Sequence, residues 1–129
     1  MKIKTLVAVL LLSGGVTSTF AQSDCNANSS ISHEAVRAKN YKDAYAPCMA
    51  VLKDCPTLRY YTYTDAQKIL VGLMSQIKDR NSAEYKKLFD ELMTVHDQKM
   101  KYIPEFATKM KGVPSVASAL GTKAVDYLQ

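Results

Sequence analysis

The sequence predicts an all-α protein of stacked antiparallel helical hairpins, with about five helices after an N-terminal signal peptide. Apolar residues recur at the i, i+3, i+4, i+7 spacing of helices that bury one side. Turn-forming clusters at residues 54–57, 78–82 and 111–114 separate these helical segments. Only residues 58–64 alternate like a strand. Because no second strand candidate could pair with them, we assign them to the approach and first turn of the following helix.

The first 21 residues have the pattern of a secretory signal peptide. Lys2 and Lys4 precede a short apolar run, and small residues up to Ala21 offer a cleavage site. A retained membrane helix and a lipid on Cys25 are the alternatives, but the apolar run is too short to span a bilayer. We therefore predict a domain of residues 22–129, periplasmic or secreted, with no membrane span after signal cleavage.

The charge pattern argues against a nucleic-acid-binding protein. The formal net charge is +5, and two of the positive charges belong to Lys2 and Lys4 in the signal peptide. The remaining Lys and Arg residues are interleaved with Asp and Glu, whereas nucleic-acid binders usually cluster basic residues on one face. We expect no nucleic-acid partner.

The two central helices carry the clearest periodicity. One stripe belongs to the helix after the turn at 54–57, and it comprises Ala66, Ile69, Leu70, Leu73, Met74 and Ile77. The next helix carries a similar stripe, which comprises Tyr85, Leu88, Phe89, Leu92, Met93 and Met100. For this second helix we predict Asn81 as the N-cap, with Glu84 closing a capping box.

Residues 39–56 contain a set of aromatic, small and apolar residues at characteristic spacings, called the signature below. A weaker form of it recurs later in the chain. The members of the signature are Tyr41, Ala44, Cys48, Val51 and Pro56, then Tyr85 at the start of a later helix, and Leu120, Gly121 and Ala124 near the end. These residues resemble the tetratricopeptide repeat (TPR), a helix-turn-helix unit. With the signal peptide, the chain resembles exported TPR proteins of Gram-negative bacteria. The resemblance implies repeats at about 25–56 and 57–104, and a partial repeat at 114–129.

Small signature residues such as Ala44 and Gly121 are expected where two helices approach closely. Such arrays normally need three or more repeats, because each unit buries its apolar face on the next. The fifth helix, from about Pro114 to Leu128, has no predicted neighbour after it. We expect that the chain is a fragment or truncated form, or that this last helix docks on a partner, self-association included.

Pro47 departs from the signature, because it falls inside the second helix. A proline there removes the hydrogen bond to the Asp43 carbonyl and predicts a kink. A shorter helix that begins near Pro47 is the alternative.

The three cysteines suggest a structural disulfide, since such bonds persist in exported proteins. In a helical hairpin the start of the first helix lies beside the end of the second, which brings Cys25 close to Cys55. Cys48 lies on the buried stripe and is then a small core residue. A Cys25–Cys48 bridge or free thiols remain alternatives.

No catalytic, metal or cofactor site is predicted. The segment HEAVR at 33–37 begins like a zinc-peptidase helix, but Arg37 occupies the place of the second histidine. We interpret His33 as a solvent-facing residue, and His96 with Asp97 as a pair on a helix surface.

These observations favour a non-enzymatic, protein-binding scaffold of the cell envelope, whose partner is another protein or peptide. The alternative is a helical docking region or subunit of an envelope enzyme. In stacked hairpins the first helices line a concave face, and the resemblance places Ser29, His33, Arg37, Asp65, Lys68, Gly72 and Ser75 along it. The line lacks the Lys and Asn clamp of chaperone-binding TPR proteins, so recognition of a C-terminal carboxylate is not expected.

Overall fold

The computed structural model describes residues 24–129, which form five helices. Helix α1 covers residues 24–37, α2 Tyr41–Asp54, α3 Tyr61–Ser75, α4 Ala83–Lys109 and α5 Val116–Leu128. No strand occurs among these residues, and residues 58–64 lead into α3 as expected. The predicted all-α class is therefore confirmed. The predicted signal peptide and its cleavage site lie outside the described residues.

Successive helices pack as antiparallel neighbours, α2 on α3, α3 on α4 and α4 on α5. Side chains also connect alternate helices. His33 of α1 contacts Asp65 of α3, and Tyr45 of α2 contacts Glu91 of α4. The core lies between α2, α3 and α4, and its fully buried side chains include Val51, Tyr63, Ile69, Leu70 and Leu92. Within the span 24–129, no helix is long and apolar enough to cross a membrane.

The first hairpin turns through a left-handed residue. Lys39 has a φ of 58°, and the N–H groups of Lys39 and Asn40 donate to the carbonyls of Val36 and Ala35. This pair of bonds is a Schellman motif, whose left-handed position usually holds glycine. Asn40 then caps α2, because its side chain accepts from the Asp43 N–H.

The N-cap of α4 lies one residue later than predicted. Ser82 is the N-cap, and its Oγ accepts from the Tyr85 N–H at 3.2 Å. The assignment to Asn81 was wrong, because a serine hydroxyl at position 82 already satisfies the donor that the cap must satisfy. The helix continues through Pro104 and ends at Lys109, beyond the predicted repeat end at 104.

Helix α2 likewise continues through Pro47 from Tyr41 to Asp54. A helix beginning near Pro47 is therefore excluded. The Asp43 carbonyl still lacks the N–H partner that a residue other than proline would supply.

The signature residues of the first two hairpins lie in or against the core. Ala44, Cys48 and Val51 are buried, and Tyr85 packs against the core from α4. The Pro56 carbonyl accepts the Tyr63 hydroxyl at 2.7 Å, which joins the turn after α2 to α3.

The signature residues of α5 do not pack, and this expectation was wrong. Leu120 is 55% exposed, and Gly121 and Ala124 are also exposed. A Cβ added at Gly121 would meet nothing within 4 Å. The reason is that α5 packs through its opposite side, where Ala119 is buried, while no described helix covers its outer side.

The close helix approach occurs instead at Gly72, where a Cβ would overlap the Tyr41 ring. Gly72→Ala is expected to lower the free energy of unfolding by about 1 to 3 kcal/mol, because this overpacking exceeds the helix preference of Ala. Chemical denaturation measures the change. Gly121→Ala is the matched control, and in dilute protein it should raise stability by up to about 1 kcal/mol. Equal stabilisation by both variants would contradict the close contact.

Candidate partner-binding face

Helices α1 and α3 lie side by side and are joined by a polar network. Nδ1 of His33 lies 2.7 Å from Oδ2 of Asp65, and the Asp65 side chain is almost completely buried. The His33 ring also packs on Tyr61, with 4.4 Å between ring centroids. The imidazole is therefore fixed from two sides, while about a third of the side chain stays exposed.

Arg59, in the turn before α3, extends this network toward the start of α1. Its guanidinium donates to Ser29 Oγ at 2.9 Å and to Asn26 Oδ1 at 3.4 Å. It also lies 5.7 Å from the centroid of the Tyr61 ring, a cation–π distance. Ser29 Oγ is in addition 3.4 Å from the Tyr61 hydroxyl.

Two of the predicted partner-contacting residues are therefore buried. Ser29 and Asp65 hold α1 against α3 and do not face solvent, so their assignment to an exposed face was wrong. His33 is only partly solvent-facing, because its imidazole is bonded to the buried Asp65 carboxylate. Gly72 is half-buried, and the Tyr41 ring lies against its Cα.

Arg37, Lys68 and Ser75 are exposed, as the concave-face prediction requires. Arg37 Nη1 pairs with Oε1 of Glu34 at 3.2 Å, and both side chains are about two-thirds exposed. We call the exposed surface formed by His33, Arg37, Arg59, Tyr61, Lys68 and Ser75 the α1–α3 face. Its charged groups are mostly positive, because Asp65 is buried beneath His33.

Sequence reasoning did not assign Asn26, Arg59 and Tyr61 to this face. The only available signal in the sequence is the tyrosine cluster at 60–63, and tyrosines occur at helix crossings as well as at binding surfaces. Tyr60 and Tyr63 do lie at such a crossing, edge-on to Phe106 at 5.5 and 6.0 Å between centroids. Tyr61 points to the other side, toward α1.

A second polar cluster holds α5 to the rest of the molecule. Oδ2 of Asp126 lies 2.7 Å from Nε2 of His96 and 2.8 Å from Nε2 of Gln67. His96 and the neighbouring Lys99 are buried. The interpretation of His96 and Asp97 as a surface pair was wrong, since Asp97 instead pairs with Lys123 of α5.

Burial lowers the pKa of His96 below its usual value, and the hydrogen bond that its Nε2–H donates to Asp126 only partly offsets this effect. The structure gives a reason, because Nδ1 of His96 has no hydrogen-bond partner within residues 24–129. A proton on that atom would be buried without an acceptor. Burial likewise lowers the pKa of Lys99, and the negative charge of Asp126 only partly offsets this effect.

Acidification is therefore expected to weaken the docking of α5. Because the pKa of His96 is lower in the folded state than the ordinary value of about 6.5, the unfolded chain takes up the proton first as the pH falls. The stability linked to His96 is present above about pH 6.5 and is lost below it. Asp126 and Lys123 of α5, Lys99 and Asp97 of α4 and Gln67 of α3 surround the imidazole.

Melting temperatures measured between pH 7.5 and pH 5 test this expectation. The wild-type value should fall across this range, and His96→Gln should flatten the profile because the variant has no imidazole to protonate. An equally steep profile in His96→Gln would contradict the assignment.

The predicted Cys25–Cys55 disulfide is confirmed, with 6.4 Å between the Cα atoms. It joins the start of α1 to the end of α2. Cys48 is free and fully buried. Burial, with a smaller contribution from the charge of Asp65, raises its pKa to about 12. The thiol is therefore protonated near neutral pH and is a poor nucleophile.

A groove with a volume of about 820 Å³ lies between α2 and α4. Its floor is formed by Met49, Leu52 and Val95, and its rim carries both Lys and acidic side chains. The Tyr45 hydroxyl donates into it toward Glu91 at 2.6 and 2.8 Å. Across residues 24–129 no group of three or more metal-ligating side chains converges.

Fold and face together define an all-α protein of packed helical hairpins, with a preorganised and mostly cationic surface on α1 and α3. Comparisons with protein-family models, with curated proteins and with solved structures each gave no significant match.

Proposed function

We propose that the chain is a non-enzymatic, protein-binding scaffold of the bacterial cell envelope, of the exported TPR type, and that the α1–α3 face binds its partner. The observation that carries this proposal is the fixed position of His33 and Tyr61 at the surface. Asp65 holds the imidazole at 2.7 Å, and the Tyr61 ring stacks on it.

Preorganisation matters because a partner then binds without first ordering these side chains. The buried contacts of Ser29 and Asp65 keep α1 and α3 in register, and they leave the His33 and Tyr61 rings partly exposed between the helices. Aromatic and arginine side chains held in this way are the usual energetic centres of protein interfaces.

The charge of the face indicates the chemistry of the partner. Arg59 and Lys68 are not paired with an acid in the described hydrogen bonds and ion pairs, and Arg37 shares only an exposed pair with Glu34. An extended peptide segment with acidic side chains complements this surface.

The proposed compartment follows from the disulfide. A structural disulfide forms and persists in oxidising environments such as the periplasm or the cell exterior. Together with the signal-peptide pattern, the Cys25–Cys55 bond supports export.

Capture from an envelope extract at physiological salt tests the proposal. The mature chain is immobilised as wild type, as Arg37→Glu/Lys68→Glu, and as the control Lys53→Glu/Lys87→Glu. The control makes the same change of charge on exposed residues of α2 and α4. We expect a specific protein to bind the wild type and the control, and to bind the face variant on the order of tenfold more weakly. Equal capture by all three chains, or no specific capture, would contradict the proposal.

A further inference from the structure

The outer side of α5 is an uncovered apolar surface. The Tyr127 ring turns toward α4, 5.8 Å from Phe89 between ring centroids, and the large side chains of the outer side are Leu120, Val125 and Leu128, which are 54% to 82% exposed. Contiguous exposed apolar side chains of this kind mark interaction sites. Ala117, Gly121 and Ala124 lie between them and are exposed as well. We call this surface the α5 outer face.

The α5 outer face carries no charge. The only charged residues of α5 are Lys123 and Asp126, and both turn inward to α4, where they pair with Asp97 and His96. A charged peptide or a charged protein surface would lose hydration here without gaining a counter-charge. The complementary occupant is another uncharged apolar helix face.

The order of side-chain sizes suits a second copy of the same helix. At about 100° per residue, Ala117, Gly121, Ala124 and Leu128 lie along the line opposite the buried Ala119 and Asp126. When two such helices pair antiparallel about a twofold axis between residues 122 and 123, Leu128 of one faces Ala117 of the other. Gly121 then faces Ala124. Large side chains meet small ones, and the backbones approach closely at Gly121, where space is open.

We propose that the α5 outer face binds a second copy of this chain in an antiparallel, twofold-symmetric dimer. Such isologous contacts are the commonest form of self-association. This inference is independent of the α1–α3 face, which lies on other helices and remains free in the dimer.

Sedimentation equilibrium of the exported chain, from about 1 to 500 µM, tests the dimer. The wild type should shift from monomer to dimer within this range. Leu120→Asp should raise the dissociation constant at least about 100-fold, since the carboxylate would be buried without a partner. Ile31→Asp is the control, because Ile31 is exposed to a similar degree (57%) but lies on α1. Its dissociation constant should equal that of the wild type.

Cysteine cross-linking tests the antiparallel register. A mixture of one chain carrying Gly121→Cys with another carrying Ala124→Cys should form an intermolecular disulfide, and should do so faster than Gly121→Cys alone. The buried Cys48 does not compete for this reaction. A wild type that stays monomeric up to 500 µM would overturn the proposal. So would a dimer that Leu120→Asp leaves unchanged, or faster cross-linking of Gly121→Cys with itself.

Discussion

Replacement of Cys25 and Cys55 by serine is expected to lower the free energy of unfolding by about 3 to 4 kcal/mol. The disulfide joins residues 30 positions apart, and closing a loop of that length removes this much entropy from the unfolded chain. Domains of this size are often stable by only about 5 to 15 kcal/mol. The bond also ties the start of α1, the first described helix, to the end of α2, so its loss should free α1 first.

Urea denaturation of the double variant, compared with the oxidised wild type, measures this effect. Cys48→Ala is the control, because Cys48 is buried outside the disulfide, and its thiol makes a weak contact to the Thr62 carbonyl at 3.6 Å. It should cost about 1 kcal/mol, the loss of one small buried group. A chain that reduction leaves equally stable would contradict the structural role of the disulfide.

Asp126→Ala is expected to release α5 from the other helices. The Asp126 carboxylate is the partner of both His96 and Gln67, and it is the nearest described negative charge to the buried Lys99. Removing one member of a buried ionic cluster typically costs about 3 to 5 kcal/mol, because the remaining polar groups stay buried without a partner. Ala119 is the one buried apolar residue of α5, so apolar packing cannot compensate for the loss of the Asp126 contacts.

Hydrogen exchange resolved along the chain shows this release. In Asp126→Ala the amides of 116–128 should lose their protection, while those of α3 keep theirs. Asp97→Ala removes the exposed pair with Lys123 and is the matched control, with an expected cost below about 1 kcal/mol. Equal protection of α5 in both variants and the wild type would contradict a docking role for the buried cluster.

Sequence periodicity predicted the helices well, because the stripes of α3 and α4 are buried over several turns. The disulfide was also predictable, since hairpin geometry alone places Cys25 beside Cys55. Each of these features depends on local spacing or on a single turn.

The polar contacts between helices were not predictable in the same way. His96 and Asp126 are 30 residues apart, and nothing in the spacing of α4 shows that α5 will supply a carboxylate there. The same holds for Ser29 and Asp65, whose burial depends on the exact rotation of α1 against α3. The signature of α5 was misleading for a related reason. Leu120, Gly121 and Ala124 have the spacing of a packed helix, but only a covering partner would bury them.

Site-specific photo-cross-linking in cells that export the chain tests the proposed binding face most directly. A photoreactive amino acid replaces Ser75 on the α1–α3 face in one strain, and Lys53 on α2 in another; both positions are exposed. Irradiation should join the chain with the probe at Ser75 to a partner protein, and should give no such product from the probe at Lys53. Products from Lys53 alone, or none from Ser75, would contradict a partner-binding role for the α1–α3 face.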